Sequence, residues 1–142
     1  MPDITFYVLP SESTAERYQF TCKLVEKAYR SGVYVYVLTD SLEQSKLLDD
    51  LLWTFRPGSF IPHQLYTDNV PAIENTVLIG ASNPPPQWSQ AIINLSSQCP
   101  PNFQQAERIL EILDNSEETK TLGRNRYRHY QQAGFEIATE KM

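Results

Sequence analysis

The chain has 142 residues, 41% of them hydrophobic and 20% charged, and a formal net charge of −5. This length gives a single domain, residues 1–142, with enough apolar material for a sizeable core, and the composition excludes a disordered chain. The acidic balance makes the protein a poor ligand for duplex DNA, where attraction to phosphate is the main non-specific term.

In chain order, Ile4–Leu9 is β-branched and aromatic, as a buried strand should be, and Pro10 and Ser11 stop it. Ser13 followed by Glu16 has the form of a capping box and opens a helix burying Phe20, Leu24 and Ala28 together with Cys22 and Val25. Ser31-Gly32 closes it. Val33–Leu38 is a second strand, apolar enough for both its faces to be covered. Ser41 and Gln44 repeat the capping pattern, and Leu42, Leu47, Leu48, Leu51, Leu52 and Phe55 form the expected buried stripe of a second helix. Arg56–His63 is a loop broken by Pro57, Gly58 and Pro62. Thr76–Ile79 and Ala91–Leu95 are short strands around a Pro-rich loop, 83–90, whose role stays open. The segment 103–114 fits either helix or sheet, and a strand near Arg108–Leu113 is preferred. Ser116–Ala133 is a final helix ended by Gly134, and Phe135–Ile137 forms a last edge segment. Successive strand–helix units imply right-handed crossovers. The expected fold is a three-layer α/β/α sandwich with a mostly parallel central sheet, Rossmann-like but without a nucleotide site.

That last qualification comes from the first strand–helix turn. A phosphate-binding α/β protein places glycines there, whereas this turn reads Pro10-Ser11-Glu12-Ser13-Thr14 and carries an acid. Asp40, at the end of the second strand, reads as a helix-start residue rather than a ribose ligand. Asp49 and Asp50 are neighbours whose side chains point about 100° apart on a helix, which suits a solvated face. His63 has no adjacent nucleophile motif, so catalysis is not expected. Cys22 and Cys99 are expected as free thiols, and no CxxC or HxxxH spacing suggests a metal. No cofactor is implied. The longest apolar runs are too short to cross a bilayer and no signal peptide is visible, so the cytoplasm is the expected compartment.

Binding signals are stronger. The segment 120–129 holds Lys120, Arg124, Arg126 and Arg128 and no acid; removing those four cations from the formal −5 leaves −9 on the rest of the chain. Lys120, Arg124 and Arg128 follow i, i+4, i+8 spacing and form one ridge. Tyr127 lies beside it, and Gly123 leaves a gap where a side chain would be. The ridge suits an acidic peptide with an apolar terminal residue; the alternative is a solvated helix whose cations complement the macrodipole. Direct single-stranded nucleic-acid binding through Arg124, Arg126, Arg128, Tyr127 and Tyr130 is a further option, opposed by the acidic remainder. A second signal is the set Trp53, Phe55, Pro57, Phe60, Ile61 and Pro62. Here Trp53 and Phe60 form either an exposed aromatic pair or a staple holding the loop.

Five segments in order, LLWTFRPGSFIPH (51–63), TVLIG (76–80), AIINLSSQCPPNF (91–103), ILEILD (109–114) and GRNRYRHYQQAGFEI (123–137), resemble the chi subunit of bacterial DNA polymerase III over nearly the whole chain. The resemblance implies a largely parallel α/β fold and a non-catalytic accessory role in DNA replication. It implies two partners: the psi subunit, through which chi joins the clamp loader, and the acidic C-terminal tail of single-stranded DNA-binding protein. The positions matching the family's tail-binding residues are Lys120, Arg124 and Tyr127, which the ridge extends to Arg128. Those matching its psi contacts are Trp53 and Phe60. Family members also bind a helicase-like protein through an overlapping surface.

Overall fold

The computed structural model describes residues 3–58, 60–67, 71 and 73–142. Among them, seven strands form one sheet: β1 (Asp3–Val8), β2 (Val35–Leu38), β3 (His63–Leu65), β4 (Val77–Gly80), β5 (Ala91–Asn94), β6 (Arg108–Leu113) and β7 (Ile137–Lys141). Their spatial order is β3-β4-β2-β5-β6-β1-β7, and each neighbouring pair is parallel. The three helices are α1 (Thr14–Arg30), α2 (Leu42–Thr54) and α3 (Glu117–Gln132).

Strand alternation divides the core into two layers. One face of the sheet packs Val35, Val37, Leu110 and Ile112 against Cys22 and Val25 of α1 and Leu48 and Leu52 of α2. The other packs Ile4, Phe6, Tyr36 and Ile109 against Tyr130 of α3, with Trp88 and Phe103 from two short 3-10 turns. This is the expected three-layer arrangement, with every described strand parallel.

Each helix starts as its sequence directs. Ser13, Ser41 and Ser116 cap α1, α2 and α3, their hydroxyls accepting from the backbone N–H groups of Glu16, Gln44 and Thr119. Gly32 and Gly134 follow α1 and α3 with φ of 92° and 91°, the left-handed geometry that stops a helix.

Four expectations need correction. Leu42 and Leu47 are exposed rather than buried, because α2 turns Ser45, Leu48 and Leu52 inward. Ser45 reaches Thr39 across a 2.6 Å hydrogen bond, which fixes that rotation. Phe20, Leu24 and Ala28 are only partly buried, since α1 centres Cys22 and Val25 on the sheet. The loop read over Arg56–His63 ends in strand β3, which pairs with β4; Ser59 lies outside the described residues. The final edge segment is later and longer than Phe135–Ile137, running from Ile137 to Lys141 along β1. The ambiguous stretch resolves as the preferred strand, Arg108–Leu113.

Candidate functional site

The geometry of α3 follows from one carboxylate. Glu111 sits mid-strand on β6, in the run RILEIL, and its side chain is 0% exposed. A buried carboxylate needs several donors to replace water. It receives three: Arg126 Nε at 3.0 Å, the Tyr130 hydroxyl at 2.6 Å and Asn94 Nδ2 at 2.9 Å. Arg126, only 4% exposed, and Tyr130 both belong to α3, so the network fixes how that helix turns on the sheet. Arg126 and Tyr130 therefore leave the exposed cationic and aromatic set suggested by the sequence. Burial and the neighbouring Glu111 push the Tyr130 hydroxyl far above the ordinary phenol range. Gly123 shares this inward face. A Cβ there would lie 2.6 Å from Leu113 Cδ1, so the expected gap is filled by Leu113, and the glycine serves the close approach of α3 to β6.

With that face committed, Lys120, Arg124, Tyr127 and Arg128 come together along a single groove of about 320 Å³. Its floor is apolar: Phe6 and Val8 of β1, Leu113 of β6 and Gly123. Thr139 of β7 closes the far wall. Tyr127 packs edge-on against Phe6, with ring centroids 5.4 Å apart, which ties the helix residue to the strand floor. Cations thus rim an apolar cleft near the lower end of the roughly 300–1,000 Å³ range of small-ligand sites. Lys120 Nζ lies 3.3 Å from Glu117, a pair on the exposed helix start. Among the described residues Arg128 reaches only the Asn125 amide oxygen, at 3.4 Å. Among the described residues no carboxylate pairs with Arg124 or Arg128.

The rim is legible in the sequence and the floor is not. Period-two alternation through Ile4, Phe6 and Val8 was the available signal, but their place beneath α3 needed the strand order.

Trp53 and Phe60 lie elsewhere, near the opposite edge of the sheet. Trp53 is 61% exposed and Phe60 82%. Among the described residues no ring contact joins them; Trp53 rests on His63 at 4.4 Å between centroids. His63 is held beneath it by two carbonyls, Ile61 O at 2.7 Å from Nδ1 and Asp49 O at 3.0 Å from Nε2, with Asp49 Oδ1 at 3.5 Å. Burial raises the Asp49 pKa, opposed by His63. His63, at the start of β3, is thus a platform for an exposed indole.

The crevice at the C-terminal ends of the strands, where open α/β folds commonly bind ligands, is lined by Arg17, Asp40, Gln44, Ser97, Glu118 and Arg126, among others. Asp40 does not start α2, since Ser41 takes that place. Its carboxylate instead accepts from Ser97 N at 2.9 Å and Ser97 Oγ at 3.0 Å, bracing the end of β2 against the loop after β5. Two carboxylates at this mouth, Asp40 and Glu118, oppose phosphate binding. Both cysteines are free; burial raises Cys22 to about 12 and Cys99 to about 11. Among the described residues no group of acids, histidines and cysteines could hold a metal, and no helix is long and apolar enough to cross a membrane.

Comparison with known proteins decides the family. A family model described as DNA polymerase III chi subunit, HolC, matches residues 1–138. The chain belongs to the DNA polymerase III chi family. It is 32% identical to the DNA polymerase III subunit chi of Pseudomonas aeruginosa over 100% of this chain and 98% of that protein. Its identity to the Haemophilus influenzae subunit chi is 27%, covering 96% of this chain and 95% of that one. Its identity to the Escherichia coli subunit chi is 24%, covering 98% and 97%. Membership of the chi family supports an accessory role in DNA replication within the polymerase III assembly.

Proposed function

We propose that this chi-family chain is a non-catalytic, one-domain cytoplasmic adaptor that links the clamp loader, through psi, to the acidic C-terminal tail of single-stranded DNA-binding protein. The observation that carries the tail-binding half is the groove: Lys120, Arg124, Tyr127 and Arg128 rim a single cleft with an apolar floor. A tail that ends in an apolar residue with a free carboxylate, preceded by acids, matches both parts of it. The terminal side chain covers Phe6, Val8 and Leu113. Arg124, which no carboxylate of the described residues engages, pairs with the terminal carboxylate in a charge-assisted contact worth roughly 1.5–3 kcal/mol. Lys120 attracts the upstream acids and Arg128, one turn beyond Arg124, adds to the pull on the terminal carboxylate, each by a smaller, salt-screened amount. Many tails on coated single-stranded DNA raise the local concentration of binding sites and so retain the polymerase assembly there.

Psi docking is assigned to Trp53 and Phe60, exposed rings of the type that anchor interfaces. The two surfaces share no residue, so one chain can hold both partners; a helicase-like partner would compete for the psi-docking surface. Direct capture of single-stranded nucleic acid is disfavoured because Arg126 and Tyr130 are spent on Glu111.

A pull-down with single-stranded DNA-binding protein tests the reading. Full-length protein is expected to be retained and a tail-deleted form lost. Equal retention of both would reject the groove as a tail site.

A further inference from the structure

The groove has two walls, and Lys120, Arg124 and Arg128 all stand on the helical one. The other wall is β7, an edge strand that among the described residues pairs only with β1. In that pairing Phe6 stands beside Thr139 and Val8 beside Lys141. Side chains two apart on a strand share a face. Lys141 therefore projects to the same side as Thr139, next to Val8, and both Thr139 and Val8 line the groove. Glu140 falls on the opposite side. The strand is held to its end: Met142 N donates to Val8 O at 2.9 Å, so the Lys141 backbone is fixed in the sheet.

The direction of α3 sets what Lys141 faces. This helix follows β6 and leads into β7, which runs parallel to it through β1. It must therefore descend from the C-terminal ends of the strands, putting its first turns, with Lys120, level with Val8, Leu113 and Lys141. Among the described residues no carboxylate pairs with Lys141. Glu117, bonded to Lys120, is the acid a ligand must displace at this end.

We propose that Lys141 is a specificity-determining cation of the groove, forming with Lys120 a gate through which the acidic residues of a bound peptide leave the apolar floor. This rests on the groove being a peptide site, as proposed above. It also gives the peptide a direction: terminal carboxylate at Arg124, upstream acids towards the C-terminal edge of the sheet.

The test is a fluorescence-anisotropy titration of a labelled peptide of aspartates ending in a free phenylalanine carboxylate, run on the full chain. Lys141→Glu is expected to weaken binding by about fivefold at low salt, with the difference shrinking as salt is raised, and to leave the melting temperature unchanged. Lys141→Gln, which keeps most of the stem, should weaken it by about twofold. Wild-type affinity in Lys141→Glu, with Arg124→Ala impaired, would overturn the gate and leave the groove reading standing. Wild-type affinity in both variants would overturn the groove reading itself. If Lys141→Glu fails to fold, unchanged affinity in Lys141→Gln overturns the gate.

Discussion

Arg124 and Arg126 stand two residues apart on α3 and do opposite things. Two helical steps rotate a side chain by about 200°, so one arginine reaches the groove and the other the core. Arg126 is 4% exposed and bound to a fully buried carboxylate; Arg124 is exposed and lines the cleft beside Lys120, Tyr127 and Arg128. The inward arginine sets the rotation of the helix, and that rotation aims the outward one. Position relative to the sheet, rather than residue type, separates a structural cation from a binding cation.

The largest expected effect falls on the inward side. Arg126→Met leaves Glu111 buried without its cation and should cost about 3–5 kcal/mol in urea unfolding. The double variant Arg126→Met with Glu111→Gln should recover much of that loss, because the neutral amide removes the stranded charge while its oxygen still accepts from Tyr130 and Asn94. Failure to recover would mean that Arg126 acts through something other than this ion pair.

Alkaline pH probes the same face. Cys99, close to the Arg126 carbonyl, is raised from 9.0 to about 11, and Tyr130 is raised further; on the other face of the sheet Cys22 is raised to about 12. A group whose proton is held more tightly when folded favours unfolding once pH passes its ordinary value. Stability should therefore be level below about pH 9 and fall as pH rises through the folded-state values. Thermal melts across that range, with thiol alkylation slow at pH 8 until denaturant is added, would check this. A rise in stability above pH 9 would contradict it.

Trp53→Ala serves as the distant control. It should weaken co-purification with psi by about 2 kcal/mol or more while peptide binding at α3 stays intact. Joint loss of both activities would indicate unfolding rather than two separate surfaces. The smallest effect is expected from Glu117→Gln, which frees Lys120 and should strengthen peptide binding by less than about threefold in the same anisotropy titration.

Much of this was legible in the sequence. Serine caps, apolar strand runs and the i, i+4, i+8 cations rest on local periodicity, which the chain carries openly. β3 was hidden because His63–Leu65 is three residues long, follows Pro62 and shows no alternation. Leu42 and Leu47 misled because a leucine-rich helix offers more than one apolar face, and Ser45 chose between them through a bond to Thr39. Arg126 looks like its exposed neighbours in the sequence because charge suggests solvent. The contrary signal was a lone glutamate inside RILEIL, since a carboxylate at the centre of a buried strand requires a buried donor. The groove floor depends on β1 lying between β6 and β7, which no local pattern encodes.

The most direct test is a cycle on Arg124 and the peptide terminus. A labelled acidic peptide with a free terminal carboxylate, and the same peptide as its amide, are titrated onto the wild type and Arg124→Ala. Either change alone should weaken binding by about tenfold or more, and the two together should cost little beyond one, because they remove the same contact. Wild-type affinity in folded Arg124→Ala, or full additivity of the two losses, would contradict a carboxylate seated at Arg124.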